Sequence, residues 1–218
     1  MIKSEKFGII FGISSLLGSN LALAMSAEGI NLIIEDNSLV NLEKIEKKIK
    51  LLGKRQTYLH CKHQNPKNLE KLDLVLGKKF KKIDFFVSTI GNMGNLKPLT
   101  DLSLDEWCKI INSNLTANWY ILKKTENFLR KSDNPKIFFF YNSEVSDGLP
   151  YYNGYSISKA ALKTMVNLYK REKKKLNFNV KIFDIDKDNY CEISHLRPHY
   201  KNYNYESEVK KILKEILP

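Results

Sequence analysis

Tyr155 and Lys159 are the residues of this sequence whose types and spacing best fit acid–base chemistry. Residues four apart share one face of an α-helix, so the lysine ammonium would lie beside the tyrosine. A nearby positive charge favours the phenolate and lowers the pKa of the phenol towards neutral pH, which would make Tyr155 a usable proton donor and acceptor. An ordinary surface pair has the same spacing, so other residues must decide between the two interpretations.

A glycine- and serine-rich segment separates the first predicted strand from the first predicted helix. Gly12, Ser14, Ser15 and Gly18 would leave backbone N–H groups open to close approach at a helix N-terminus, as a nucleotide pyrophosphate requires. Any strand–helix turn of this composition looks similar. Its place in the first such unit, with an acidic pair ending in Asp36 at the close of the second strand, favours a nucleotide site.

The elements that must position these residues alternate along the chain. Apolar runs too short for helices predict six buried strands, at residues 7–11, 31–35, 56–61, 83–89, 136–142 and 180–185. Apolar residues at helical spacing predict the helices between and after them, at residues 18–28, 39–52, 69–76, 104–130, 155–176 and 207–217. Such alternation predicts an α/β fold, a doubly wound Rossmann-like parallel sheet with helices on both faces.

The domain organisation follows from the absence of a linker, an internal repeat or a large shift in composition. We expect one domain over residues 1–218, with the cofactor-binding and catalytic core in residues 1–186. Residues 187–218 are atypical: a polar, tyrosine-rich stretch replaces the expected final strand, and a short terminal helix follows it. We interpret this C-terminal region as truncated or rebuilt.

Together these features resemble the short-chain dehydrogenase/reductase family over residues 7–183. Asn114 lies in the long helix within Asn-Leu-Thr, Ser143 follows the fifth strand, and Tyr155 opens Tyr-Ser-Ile-Ser-Lys-Ala-Ala-Leu, which is close to the most diagnostic segment of that family. The resemblance implies that Tyr155 exchanges the hydroxyl proton and that Lys159 holds the nicotinamide ribose. It also implies that Ser143 hydrogen-bonds the carbonyl oxygen and that Asn114 helps to hold a proton-relay water.

The resemblance also implies a nicotinamide cofactor. The expected contacts with it come from Gly12, Ser14, Ser15, Leu17, Gly18, Asp36, Ser88, Ile90, Gly91, Tyr155 and Lys159. Asp36 lies near the separation from the loop at which a carboxylate meets the adenosine ribose, so we expect NAD to be preferred over NADP. An alternative interpretation, which is compatible with the first, is that Asp36, together with Asn37 and Ser38, caps the helix that begins near Leu39.

Some positions depart from the family pattern. Leu16 replaces the middle glycine of the loop, and Lys62 stands where an aspartate commonly holds the adenine amino group. Asn142 lies at the commonest separation between the catalytic serine and the catalytic tyrosine. Assigning the serine role to Ser143 therefore assumes that the loop leading to Tyr155 is one residue shorter.

Composition narrows the choice of partners. The formal net charge is +12, but it is carried almost wholly by lysines in separate runs, which favours solvated helix faces over a nucleic-acid footprint. Three distant cysteines without a CxxC argue against a disulfide framework and a cysteine zinc site, and we expect no metal and a cytoplasmic location. Polar residues interrupt the apolar N-terminal stretch, so it predicts neither a signal peptide nor a membrane span.

The sequence therefore predicts an NAD(P)-dependent oxidoreductase that acts on a small-molecule alcohol or ketone, with specificity set near residues 143–154 and 187–205. An alternative is a nucleotide-binding or regulatory protein that has kept this fold and lost the chemistry. Apolar residues on more than one face of the two long helices predict a homodimer or homotetramer. They are Trp119, Ile121, Leu122, Leu162, Met165 and Leu168.

Overall fold

The computed structural model describes residues 5–184 and 205–216, and one six-stranded sheet organises them. Its strands are β1 (Phe7–Phe11), β2 (Asn31–Asp36), β3 (Thr57–His60), β4 (Phe85–Ser88), β5 (Lys136–Tyr141) and β6 (Asn179–Asp184). Their order is β3-β2-β1-β4-β5-β6, and all neighbouring pairs are parallel. The predicted doubly wound Rossmann-like sheet is confirmed.

Helices cover both faces of the sheet. They are α1 (Leu16–Ala27), α2 (Leu39–Leu51), α3 (Leu72–Gly77), α4 (Leu104–Ile111), α5 (Ala117–Leu129), α6 (Ser143–Ser146), α7 (Asn153–Glu172) and α8 (Tyr205–Ile216). Two 3₁₀ turns, Pro66–Leu69 and Leu99–Asp101, lie in the connections. None of the helices in the described part of the chain is both long enough and apolar enough to span a bilayer.

The core has two layers because side chains alternate along each strand. Ile9 and Phe11 of β1 point to one face, where α3, α5 and α7 contribute buried residues. Ile10 points to the opposite face and packs with α1, α2 and α8. Every residue from Ile9 to Phe11 is fully buried, which explains why the strand is apolar throughout and does not alternate in polarity.

The long helix predicted over residues 104–130 is interrupted. A π-helical turn at Asn112–Thr116 joins α4 to α5, and the Ala117 N–H donates to the Asn112 carbonyl oxygen five residues earlier. Amphipathic spacing does not reveal such a turn, because the apolar stripe continues on both sides of it. Single π turns inside α-helices are frequent at functional sites, and this one carries Asn114.

Helix α8 packs against α1 at the C-terminal end of the described chain. Val209 and Ile212 are buried with residues of β1, β2 and β5, and the Lys136 Nζ donates to the Glu215 carbonyl oxygen at 2.9 Å. The terminal helix predicted over residues 207–217 is thus observed over Tyr205–Ile216. Of the atypical segment over residues 187–205, in which we expect part of the substrate specificity to lie, all but Tyr205 lies outside the described residues.

Candidate functional site

The candidate site lies at the carboxyl edge of the sheet, between β1 and β4. The strand order reverses there, and in open α/β sheets the crevice at such a reversal is the usual ligand site. A cavity of about 230 Å³ opens at this point. Its lining residues are Gly12, Ser14, Ser15, Asp36, Asn37, His63, Thr89, Ile90 and Gly91.

The glycine loop is fixed by backbone geometry and short hydrogen bonds. Gly12 has φ +85°, and a Cβ at this position would lie 2.9 Å from the Ile90 backbone nitrogen, so only glycine fits. The Ser15 Oγ caps α1 by accepting from the Gly18 N–H at 2.9 Å. The loop therefore delivers the start of α1 to the cavity edge, where N–H groups and the helix dipole favour an anionic group.

Most of the predicted cofactor contacts of the glycine loop and its neighbours line this cavity, but three do not. Leu17 is buried in the core on the inner face of α1. Gly18 packs closely against Thr89, and a Cβ added to Gly18 would lie only 2.5 Å from the Thr89 Oγ1. The Ser88 Oγ donates to the Asn118 Oδ1 at 2.5 Å, so the side chain joins β4 to α5. These three residues therefore face the protein interior and not the cavity.

Asp36 is held as a carboxylate acceptor at the end of β2. It accepts from the Ser14 N–H at 2.6 Å, from the Ser14 Oγ at 2.7 Å and from the Ser38 N–H at 2.8 Å. Ser38, not Asp36, caps α2 through the Asn41 N–H. Asp36 therefore ties the glycine loop to β2 with its charge at the cavity wall.

Tyr155 and Lys159 lie together on one buried face of α7. The Lys159 Nζ is 5.4 Å from the centre of the Tyr155 ring, and both residues are at most 3% exposed. The Lys159 Nζ also donates to the Phe140 carbonyl oxygen at 3.5 Å. The structure thus places the two residues together in the protein interior, unlike an ordinary surface pair.

The Tyr155 hydroxyl donates to the Asn142 Oδ1 at 3.2 Å. Asn142 follows β5 directly and is fully buried. Ser143, the residue expected beside the substrate carbonyl, begins α6, is only half-buried and donates its backbone N–H to the Asp184 Oδ1 at 3.1 Å. The residue observed against the tyrosine hydroxyl is therefore Asn142, one position earlier than the expected serine.

Asn114 is locked in place by the loop after β4. Its Oδ1 accepts from the Asn92 N–H at 2.7 Å, and its Nδ2 donates to the Asn92 carbonyl oxygen at 2.8 Å. Its own carbonyl oxygen accepts from the Asn118 Nδ2 at 2.7 Å. The π turn thus presents the Asn114 carboxamide to the loop and its carbonyl to α5.

Asn153 is a positioning residue that sequence reasoning missed. It has φ +35°, and its Nδ2 lies 3.0 Å from the Asn95 carbonyl oxygen and 3.1 Å from that of Tyr151, which has φ +73°. Left-handed backbone at two non-glycine residues so close together in one turn is uncommon and concentrates at functional sites. These contacts fasten the loop after β4 to the start of α7, immediately before Tyr155. Tyr152 is buried against Tyr155, whereas Tyr151 is exposed.

Comparison with models of known protein families gives a match to most of the chain. The model described as "Enoyl-(Acyl carrier protein) reductase" matches residues 12–180, which include the glycine loop, Asn114, Tyr155 and Lys159. The chain belongs to the short-chain dehydrogenase/reductase family. The resemblance noted from the sequence is confirmed.

Two curated dehydrogenases are similar to part of the chain. The protein named "Probable NADP-dependent mannitol dehydrogenase" of Yarrowia lipolytica is 30% identical over 127 residues, 58% of this chain and 46% of its own. A cyclohexanol dehydrogenase of an Acinetobacter species is 22% identical over 117 residues, 54% of this chain and 47% of its own. The chain thus spans about half the length of these relatives.

Solved structures of the family share the fold. A short-chain dehydrogenase from Salmonella enterica serovar Typhi superposes with a TM-score of 0.77 at 16% identity, over 83% of this chain and 75% of its own. A Shigella flexneri protein in complex with NADP gives a TM-score of 0.77 at 18% identity, over 82% of this chain and 76% of its own. At such low identity these likenesses establish the architecture.

Gly18→Ala should damage the glycine loop. The new Cβ would lie 2.5 Å from the Thr89 Oγ1 and 2.7 Å from the Gly12 carbonyl oxygen, so the loop or β4 must move. We expect the free energy of unfolding, measured by urea denaturation, to fall by about 1–3 kcal/mol, as overpacking does elsewhere. The matched control is Gly77→Ala in α3, where a Cβ meets nothing closer than 3.7 Å. Equal stability of the two variants would contradict this account of the loop.

Proposed function

We propose that this protein is an oxidoreductase that uses a nicotinamide cofactor to interconvert an alcohol and a carbonyl compound. The observation that carries the proposal is the buried arrangement of Tyr155, Lys159 and Asn142 on the sheet edge that also bears the glycine loop. Membership of the family supports it. When bound, the nicotinamide would supply or take up the hydride, and the protein supplies orientation and a proton.

Tyr155 is the proposed acid–base residue. During carbonyl reduction its hydroxyl would give its proton to the oxygen that gains negative charge, and in alcohol oxidation the phenolate would take that proton back. The nearby Lys159 ammonium would stabilise the phenolate and hold the nicotinamide ribose. Asn114, fixed by Asn92, would hold the water through which the proton reaches solvent. Burial strengthens each of these interactions because water is excluded.

Two residues compete for the place beside the reacting oxygen. Ser143 has the hydroxyl that the family uses, whereas Asn142 has the observed contact with the Tyr155 hydroxyl. A carboxamide is suited to both tasks, because its oxygen accepts a hydrogen bond while its nitrogen donates one. The contact supports Asn142 as the residue that orients the tyrosine and polarises the carbonyl group.

Tyr155→Phe should lower turnover by about 10²–10⁴-fold, because it removes the proton donor without changing the shape of the site. The assay follows NADH and NADPH absorbance with a panel taken from the relatives, namely mannitol, cyclohexanol, a 3β-hydroxysteroid and an enoyl thioester. Asn142→Ala should reduce the turnover number strongly, while Ser143→Ala should change it little. Unchanged turnover in Tyr155→Phe would contradict the mechanism, and the reverse order of the other two variants would assign the role to Ser143.

For the cofactor, we propose NAD over NADP. The Asp36 carboxylate at the cavity wall can accept from a ribose 2′-hydroxyl if Ser14 yields one of its hydrogen bonds, but it would repel the roughly two negative charges of a 2′-phosphate. The Lys62 ammonium would offset that repulsion if it lay in the cavity, but Lys62 is exposed and does not line the cavity. The mannitol dehydrogenase of Yarrowia lipolytica and the Shigella flexneri complex point to NADP, so both cofactors must be compared.

Calorimetric titration with NADH and NADPH tests this preference directly. We expect tighter binding of NADH, and Asp36→Asn should shift the NADH:NADPH affinity ratio towards NADPH by about tenfold, because the isosteric amide removes the charge. Glu43→Gln, on the exposed side of α2, is the matched control and should leave the ratio unchanged. Tighter binding of NADPH by the unmutated protein would refute the assignment of Asp36. Binding of neither cofactor would favour the alternative of a repurposed scaffold.

We also propose that two copies pair through α5 and α7. Of the apolar residues expected at this interface, Ile121, Leu122 and Leu162 are instead buried in the core. Trp119 and Leu168 are 47% and 58% exposed beside a groove of about 460 Å³ between the two helices. Neighbouring exposed apolar residues of this size mark an association surface.

Sedimentation should show a species larger than the 25.3 kDa chain. Leu168→Glu should dissociate it, because the charge would be buried at the interface. Leu74→Glu, at a leucine of α3 that is 65% exposed, should not. A 25.3 kDa species for the unmutated protein at micromolar concentration would refute the pairing.

A further inference from the structure

The segments that lead into the strands carry most of the excess positive charge of the described chain. Because neighbouring strands are parallel, these segments lie at the amino edge of the sheet, at the opposite end of the strands from the candidate site. They hold twelve basic and four acidic residues, over residues 5–6, 28–30, 52–56, 78–84, 130–135 and 173–178. The described segments at the carboxyl edge hold four of each, over residues 12–15, 37–38, 61–71, 89–103 and 142–152. The fold therefore gathers at one edge the lysine runs that lie apart in the sequence.

We call residues 51–55, 78–84, 130–133 and 173–177 the amino-edge surface. Hydrogen bonds join three of its four segments: the Asn177 Nδ2 donates to the Asp133 carbonyl oxygen at 2.8 Å, and the Ser132 Oγ donates to the Asp84 Oδ1 at 2.7 Å. Several of its lysines are exposed and form no ion pair with the described residues, namely Lys78, Lys79, Lys81, Lys174 and Lys175. Unpaired cations spread along a whole edge fit an extended anionic partner better than a small ligand.

Exposed leucines lie among these cations. Leu51 ends α2 and is 87% exposed, and Leu52 follows it at 48%. Leu176 comes directly after the lysine run at residues 173–175 and is 39% exposed. Peripheral membrane proteins combine the same two features, because lysines meet anionic headgroups while leucines leave water for the boundary with the acyl chains.

A cavity of about 650 Å³ opens beside Gly53, next to the two leucines of α2. Three cations line it, Lys50, Lys54 and Arg55. Lys50 is paired with Glu46 at 2.8 Å, whereas Lys54 and Arg55 form no ion pair with the described residues. These two unpaired cations could hold a phosphate group, which is the part of a phospholipid nearest to the leucines.

The residue types of the amino-edge surface suit a bilayer better than a nucleic acid. Its arginines are Arg55 and Arg130, and Arg130 is already paired with Glu126. Phe80 is its aromatic residue and is buried. Reading of base edges favours arginine, and base stacking requires exposed aromatic rings. A nucleic acid also offers no apolar partner to the exposed leucines.

We propose that the amino-edge surface binds an anionic lipid bilayer, with Leu51 and Leu52 at the boundary with the acyl chains and a lipid phosphate between Lys54 and Arg55. The candidate site opens at the opposite edge of the sheet, so a cofactor would still reach it in the bound protein. The surface shares no residue with that site, and the binding is therefore independent of the proposed function.

Co-sedimentation of the full chain with vesicles tests the electrostatic part. Vesicles that contain phosphatidylserine should bind the protein, vesicles of phosphatidylcholine alone should not, and high salt should release it, because exposed charges are screened. Joint Lys78→Gln and Lys79→Gln should weaken binding by about 25-fold, since each lysine near an anionic bilayer contributes about fivefold. The matched control is joint Lys62→Gln and Lys67→Gln, which removes two exposed lysines from the carboxyl edge and should change binding little.

A pair of leucine variants tests the apolar part. Leu51→Ser should weaken vesicle binding by about tenfold, because an apolar side chain no longer leaves water. Leu104→Ser, at a leucine of α4 that is 78% exposed at the carboxyl edge, should have no effect. Equal vesicle affinities of the two lysine double variants would overturn the proposal, as would tighter binding to an oligonucleotide than to phosphatidylserine vesicles. Equal affinities of the two leucine variants would overturn the insertion of Leu51.

Discussion

The carboxyl edge of the sheet buries many polar side chains, and the need to pair each of them determines the local structure. The Thr89 Oγ1 donates to the Gly12 carbonyl oxygen at 2.7 Å, which fastens the end of β4 to the glycine loop. The Gly12 N–H donates to the Glu35 carbonyl oxygen at 3.0 Å, which fastens the same loop to β2. An unpaired buried polar group costs about 1–3 kcal/mol, so these contacts leave the loop little freedom.

The same constraint links the cavity between β1 and β4 to Tyr155, the proposed acid–base residue. Ser88 bonds to Asn118, Asn118 to the Asn114 carbonyl, and the Asn114 carboxamide to Asn92. The chain of contacts runs from β4 through the π turn to the loop that Asn153 ties to α7. The start of α7, which carries Tyr155, is therefore fixed against the loop after β4, and β4 ends at the cavity. Such preorganisation is what positioning and electrostatic catalysis require.

Much of this arrangement was predictable from the sequence, because apolar periodicity, the glycine loop and the Tyr155–Lys159 spacing all depend on local pattern. The rest depends on contacts between distant segments. Nothing local marks the π turn at Asn114, and the contact of the Tyr155 hydroxyl with Asn142 and not with Ser143 depends on where β5 ends. The contact between His63 and Glu35 joins residues 28 apart in the sequence, so no local pattern predicts it.

The most direct test of this account is a crystal structure of the protein grown with saturating NADH. The account predicts the pyrophosphate at the N-terminus of α1, the adenosine ribose beside Asp36, and the nicotinamide ring within contact distance of Tyr155 and Lys159. A dinucleotide bound elsewhere on the surface, or a nicotinamide ring directed away from Tyr155, would contradict it.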